Sequence, residues 1–120
     1  MMKFGMNIKQ RDIVLIPFPY SDLSATKKRP VVILSNSNYH KDNNDMICCA
    51  ITSSKKEIHR GVLINNFDLE EGNLKTESVI KPSKVFTVLR KIIVKKVGTL
   101  KIEKIEEVIK NLKLDIEIDR

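Results

Sequence analysis

The sequence predicts a mainly β fold finished by one C-terminal helix, on three observations. Short β-branched runs recur at close spacing up to Gly98, clusters of Pro, Gly, Asn and Ser punctuate them, and beyond Gly98 the apolar spacing turns from strand-like to helical. Five to seven strands followed by a helix suit a closed or nearly closed antiparallel barrel with the helix packed across it. The 120 residues, 42% hydrophobic and 31% charged, suffice for one core and lie outside the composition of disordered chains, so residues 1–120 are expected to form a single domain.

The first strand is Asp12-Ile13-Val14-Leu15-Ile16-Pro17-Phe18, closed by Pro17 and Pro19. A long loop follows, Pro19 to Lys28, rich in turn-formers and ending in a basic cluster. Arg29 to Ser35 and Asp45 to Thr52 are continuously apolar, as strands at a sheet centre are when both faces are covered. Between them Asn36 to Asn44 reads as a polar connection. Ser53 to Arg60 is a polar loop, Gly61-Val62-Leu63-Ile64 a short strand, and Asp68 to Gly72 a segment with a turn-like end. Ser78 to Leu89 reads as extended structure broken at Pro82, and Lys91 to Gly98 as one more strand. Ile102, Ile105, Ile109 and Leu112, with Val108 beside them, give the amphipathic helix, for which Thr99 is a candidate cap although Ile102 stands where a capping box wants Glu or Gln.

With 22 Lys and Arg against 15 Asp and Glu, the formal charge of +7 favours a polyanionic partner such as nucleic acid. No apolar run approaches the roughly 20 residues of a membrane helix, and the start lacks a signal peptide's hydrophobic stretch, which predicts a cytoplasmic protein with no membrane partner. Cys48 and Cys49 are adjacent, so on a strand they point to opposite faces and do not bridge each other. No Cys-x-x-Cys pair or His-Cys cluster argues for zinc, and no cofactor or metal is expected.

Asp12 to Pro19, then Lys28-Arg29-Pro30-Val31-Val32-Ile33-Leu34-Ser35, then Ala50-Ile51-Thr52-Ser53 resemble the PemK/MazF family, the toxins of type II toxin–antitoxin systems. The likeness continues through Leu74 to Lys84 and through Val94 to Leu100 into the final helix. It implies an SH3-like barrel that forms a homodimer and cuts single-stranded mRNA at specific sequences as an endoribonuclease. The products are a 2′,3′-cyclic phosphate and a 5′-hydroxyl, no metal is used, and a cognate antitoxin with an acidic tail blocks the enzyme. Residue by residue, the family's catalytic arginine falls on Arg29 and its catalytic threonine on Thr52. Where many relatives have Gly-Asp, this chain has Arg11-Asp12. Its first loop departs from the Ser-Glu-Gln loop of other members.

The chemistry fits these residue types. A guanidinium spans two phosphate oxygens and is always charged, which suits charge stabilisation and donation to the leaving 5′-oxygen but not the part of general base. Thr52 is a positioning group that donates to a phosphate oxygen or accepts from the 2′-hydroxyl. Around the pair, Ser53, Lys28, Lys27, Tyr20 and Ser24 are candidate substrate-binding residues, Tyr20 as a platform for a splayed base. Bland readings stand beside these: Arg29 as part of a solvated basic turn, Thr52 and Ser53 as turn formers, Phe18 as core, Lys55, Lys56, Lys95 and Lys96 as solvated charges. His40 and His59 lie in predicted loops as ordinary exposed histidines, although two histidines are also the acid and base of another ribonuclease chemistry. Rival functions are a non-catalytic nucleic-acid-binding barrel, a degenerate toxin, and a poison of gyrase type.

Overall fold

The computed structural model describes residues 7–18, 27–54 and 56–120. In chain order these form β1 (Asp12–Phe18), β2 (Lys27–Ile33), α1 (Ser37–Asp42), β3 (Asp45–Thr52), β4 (Val62–Ile64), β5 (Leu69–Gly72), β6 (Ser78–Leu89), β7 (Lys95–Leu100) and α2 (Ile102–Ile116). Single 3-10 turns occupy Asn66–Asp68 and Arg90–Ile92. The strands make one antiparallel sheet in the order β4-β6-β3-β2-β1-β7-β5. It curls without closing: among the described residues β4 pairs only with β6 and β5 only with β7. The expected mainly β fold with a C-terminal helix is present as a half-barrel.

The centre of the sheet explains the apolar runs. Val31, Val32 and Ile33 of β2 pair with Ala50, Cys49 and Cys48 of β3, and β1 lies along the other side of β2. Successive side chains alternate between two cores. Ile13, Val32, Cys49 and Ile51 pack with Ile105 and Val108 of α2, whereas Val14, Ile16, Val31, Ile33, Met46 and Cys48 pack with Val88 and Ile93. Each fully buried Val or Ile contributes about 1.5–3 kcal/mol. The two cysteines part in the same way. Burial pushes the Cys48 thiol up to about 12 and raises that of Cys49 as well, so both are inert packing residues near neutral pH.

Several boundaries differ from the sequence reading. Asn36 to Asn44 is not a plain connection but holds α1, capped by the Asn36 side chain, which accepts from the Tyr39 amide at 3.1 Å. A six-residue helix is too short to display an apolar period. The segment before Gly72 is a true strand, β5. Gly72 has φ +93° and sits across from Gly98, where a Cβ would overlap the Gly98 backbone. β6 runs unbroken through Pro82. Its pairing with β3 jumps from Ile51–Ile80 to Cys49–Val85, so residues 81–84 bulge out of the ladder and the missing proline N–H leaves no gap. The strand expected from Lys91 begins only at Lys95, after the 3-10 turn.

Thr99 does not cap α2. It belongs to β7 and is buried, and its hydroxyl donates to Asp12 Oδ1 at 2.9 Å. Asp12, 1% exposed, also accepts from the Lys9 amide at 2.8 Å and lies 3.4 Å from Lys96 Nζ. Lys96 reaches Glu71 at 3.1 Å, and this contact, with Thr99 behind it, lowers the Glu71 carboxyl. Partial burial works against the Lys96 charge, but Glu71 and Asp12 together outweigh it and raise the ammonium. Lys96 is therefore a structural ion-pair partner, not a solvated charge. The N-cap of α2 is Lys101, whose side chain makes no capping hydrogen bond; its amide donates to Asp68 O at 2.8 Å.

Arg11, where the resemblance calls for glycine, has φ +80°. A side chain in the left-handed region costs roughly 1–2 kcal/mol. The guanidinium is held by Leu100 O at 2.9 Å and Glu70 at 3.2 Å, and the backbone is held by the Ile33 and Leu100 ladders. Arg11→Gly and Arg11→Ala both remove these side-chain contacts but differ in backbone strain. Chemical denaturation is expected to find the glycine variant more stable than the alanine variant by about 1 kcal/mol, the reverse of their usual order in a strand.

Candidate active site

Two strand ends build the site. β1 and β2 pair as far as Ile16–Arg29, Pro17–Lys28 and Phe18–Lys27. On the other side of β2, the register of Val31–Ala50, continued by two residues, sets Arg29 opposite Thr52, the last residue of β3. Opposed residues of antiparallel strands project from the same face, so the register converts a separation of 23 positions into one of neighbours. Alternation places Lys27 on that face with Arg29 and Lys28 on the reverse; both lysines are exposed. Arg29 is half-buried with its Nε enclosed, which restricts how the fork of the guanidinium is carried.

Thr52 is half-buried and paired with Val79 of β6. Its Oγ1 accepts a hydrogen bond from the Ser54 amide at 3.1 Å. The turn-former reading of Thr52 is thus correct, and it is compatible with a ligand contact, because the hydroxyl keeps its own proton to donate. Ser53, in this turn, is exposed. Lys56 is exposed on the following loop, and Lys95 is exposed on β7. Tyr20, Ser24 and Lys55 lie outside the described residues, as does the side chain of Phe18.

The loop after Thr52 is tied to the far half of α2. Asp115 accepts from Arg60 Nε at 2.8 Å and contacts His59 Nε2 at 3.1 Å, while Asn111 Nδ2 donates to Arg60 O at 3.0 Å. His59 first and Arg60 second lower the Asp115 carboxyl. Gly61 closes the loop against β6; a Cβ there would stand 2.7 Å from Val79 Cγ1, beside the residue that pairs with Thr52.

The histidines do not meet. His40 sits on α1, before β3, with Nε2 2.6 Å from Ser35 Oγ; burial and then the nearby Arg90 charge lower its pKa. His59 lies beyond the other end of β3. The eight residues between the two ends span about 25 Å at roughly 3.3 Å per residue, too far for a shared substrate atom. His40 is half-buried rather than the ordinary exposed residue expected, since the Ser35 contact draws it in. His59, exposed, is as expected but paired with Asp115. Sequence reasoning missed both the clasp and the Asp12–Lys96–Glu71 group, because their members stand tens of positions apart without a motif.

Residues 9–115 match the sequence profile of the PemK-like, MazF-like toxins of type II toxin–antitoxin systems. The chain belongs to that family. Comparison with curated protein sequences finds no match. Among solved structures, this PemK/MazF-like toxin is similar to a mycobacterial endoribonuclease in complex with its cognate antitoxin, at 11% identity and TM-score 0.73, covering 95% of this chain and 99% of the other. It is similar to MazE–MazF from Deinococcus radiodurans at 16% identity and TM-score 0.73, covering 93% and 97%. The Mycobacterium tuberculosis toxin MazF-mt6 matches at 16% identity and TM-score 0.71, covering 92% and 100%. At such identities the likeness is one of fold. Among the described residues, no helix is long and apolar enough to cross a membrane.

The clasp gives a test of how the toxin holds this loop. Asp115→Asn is expected to speed amide exchange at Arg60 and Gly61 while leaving the central strands protected. Since the folded-state carboxyl lies below its ordinary value of about 3.9, the contribution of the clasp is present above that pH and is lost as pH falls through the lowered folded-state value. The protection of the same amides in the wild-type chain, taken relative to the intrinsic exchange rate at each pH, should therefore fall selectively in acid, and equal protection in both proteins at neutral pH would remove Asp115 from the loop's support.

Proposed function

We propose that this family member is a sequence-specific endoribonuclease, the toxin of a type II pair, acting as one domain on single-stranded mRNA in the cytoplasm. The observation that supports the reading is the β2–β3 register, which, extended two residues past its last pair Val31–Ala50, puts Arg29 and Thr52 on one face of the sheet near the ends of two strands. Sites on such strands are held more closely than sites on loops.

In the proposed reaction the ribose 2′-oxygen attacks the adjacent phosphorus. The P–O2′ bond forms, the P–O5′ bond breaks, the 2′-hydroxyl proton leaves to water and the departing 5′-oxygen takes up a proton. The products are a 2′,3′-cyclic phosphate and a 5′-hydroxyl. No external nucleophile is needed, so the protein's work is alignment and stabilisation of the added negative charge. Arg29 suits the second task through its permanent charge and planar fork. Thr52, its oxygen fixed by the Ser54 amide, suits the first. Lys27 on the same face supplies attraction for the phosphate chain, and Ser53 is exposed beside Thr52. Lys28 contributes at longer range, from the reverse face. Tyr20 and Ser24 remain proposed base and backbone contacts of the first loop. None of these steps calls for a metal or cofactor. A homodimer would double the formal charge of +7 and present two such sites, and a cognate antitoxin of acidic character would be its natural neutralising partner.

Purified protein incubated with a long single-stranded RNA in EDTA is expected to make discrete cuts ending in 2′,3′-cyclic phosphates. Arg29→Ala should lower the cleavage rate at least about 100-fold, the usual loss for one oxyanion-stabilising donor, with an unchanged melting curve. Thr52→Val, which keeps the strand residue's shape, should lower it less. Cutting that stops on chelation and returns with magnesium would sink the metal-free account; RNA binding without cutting by either protein would favour a binding module or a degenerate toxin.

A further inference from the structure

Two cavities open side by side near the start of β1, and their charges are handled differently. The first, about 540 Å³, is lined by Arg11, Asp12, Glu70, Glu71 and Lys96 among others; its Arg11 and Lys96 are matched by carboxylates in the ion pairs already described, and Lys9 lines both cavities. The second, about 490 Å³, is lined by Lys9, Arg11, His40, Lys41 and Arg90 among others, and no carboxylate of the described residues lines it. Arg11 is engaged with Glu70. Among the described residues, the side chains of Lys9, Lys41 and Arg90 make no ion pair or hydrogen bond. Of the acids close in the chain, Glu70 holds Arg11, Asp45 accepts the Tyr39 hydroxyl at 2.6 Å, and Asp42, exposed beside Lys41, makes no ion pair with it.

His40 adds a polar ring. Its Nε2 lies 2.6 Å from Ser35 Oγ, which also accepts from the Ile47 amide at 2.9 Å, so the imidazole is fixed by a short hydrogen bond on one side. Burial and then the Arg90 charge favour its neutral form. Three cations without ion pairs among the described residues, beside this fixed imidazole around one cavity, are the equipment of an anion site.

From this we infer that the cavity between the start of β1, α1 and Arg90 binds a phosphoryl group, and that its source is the backbone of the same single-stranded polynucleotide that enters the Arg29–Thr52 end. The inference rests, in its choice of source, on the proposed function. Arg29, near the start of β2, and Ser35, two residues past its end, are six residues apart along extended chain, so the two sites lie about 20 Å from each other at roughly 3.3 Å per residue. A strand of about six nucleotides stacked at roughly 3.4 Å each covers that distance, so a second anchor would engage long chains and not short ones.

The test measures binding, not cutting, with single-stranded oligonucleotides lacking 2′-hydroxyls, about twelve and about three nucleotides long. Lys41→Ala with Arg90→Ala is expected to weaken the longer one about five- to tenfold, to lower its salt-dependence slope by about 1.4, the value for two lost phosphate contacts on a single strand, and to leave the shorter one unchanged. Lys41→Ala alone, on an exposed helix position, should show the same change at half the slope and guards against a folding defect. In parallel, inorganic phosphate is titrated into the wild-type chain while the His40 ring resonances are followed. Perturbation of His40 by phosphate, with no effect of the variants on the long oligonucleotide, would assign the site to free phosphate and overturn the polynucleotide anchor. No response in either arm would overturn the site itself. Loss of long-chain affinity in a protein that never cuts RNA would uphold the anchor while the nuclease reading failed.

Discussion

The pairing of β2 with β3 is the constraint on which the rest of the molecule depends. Val31, Val32 and Ile33 are completely buried in alternation on two faces, so a slip of one residue would carry every one of them into the opposite core. The register is secured at the far end by Ser35, whose amide donates to Ile47 O at 3.2 Å and whose hydroxyl accepts from the Ile47 amide at 2.9 Å. It is secured on the outer side by six successive pairs with β1. The same register sets Arg29 against Thr52. Correct burial and correct placement of the candidate site are therefore one requirement.

Charge is divided between structure and recognition. Asp12, buried, is kept ionically satisfied by Lys96, Thr99 and the Lys9 amide, and joins β1 to β7. Asp115 joins α2 to the loop behind Thr52. These contacts consume carboxylates on structural tasks. Other cations cluster at the Lys27–Arg29 end of β2 and around Lys9, Lys41 and Arg90 at the other end. Lys9, Lys41 and Arg90, which make no ion pair among the described residues, thus stand apart from the cations that Asp12, Glu70, Glu71 and Asp115 hold.

The departure at Arg11 illustrates how a local exception is absorbed. A positive φ at a non-glycine residue is tolerated because the backbone there is gripped by both neighbouring strands and the side chain finds Leu100 O and Glu70. The position follows the turn into β1 and precedes Asp12, so its conformation is dictated by where Asp12 must point.

The sequence by itself determined the strands β1 and β3 to the residue, the two-sided burial of β2 and β3, the opposed cysteines and the amphipathic helix, because these follow from local periodicity. It also marked Arg29 and Thr52, since each stands in a short motif. It erred where tertiary contacts override local signals: Thr99 looked like a cap until Asp12 claimed its hydroxyl, Pro82 looked like a break until β3 accommodated a bulge, and α1 was too short to leave a period. Lys96 looked solvated because Asp12 and Glu71 are distant in the chain. Only the tertiary structure decided that the sheet stays open at β4 and β5, that the two histidines serve opposite ends, that Lys28 leaves the face of Arg29, and that one cavity keeps its cations unmatched. Each is a matter of which distant residues meet, and that depends on strand register and sheet curvature, which no single segment of the chain encodes.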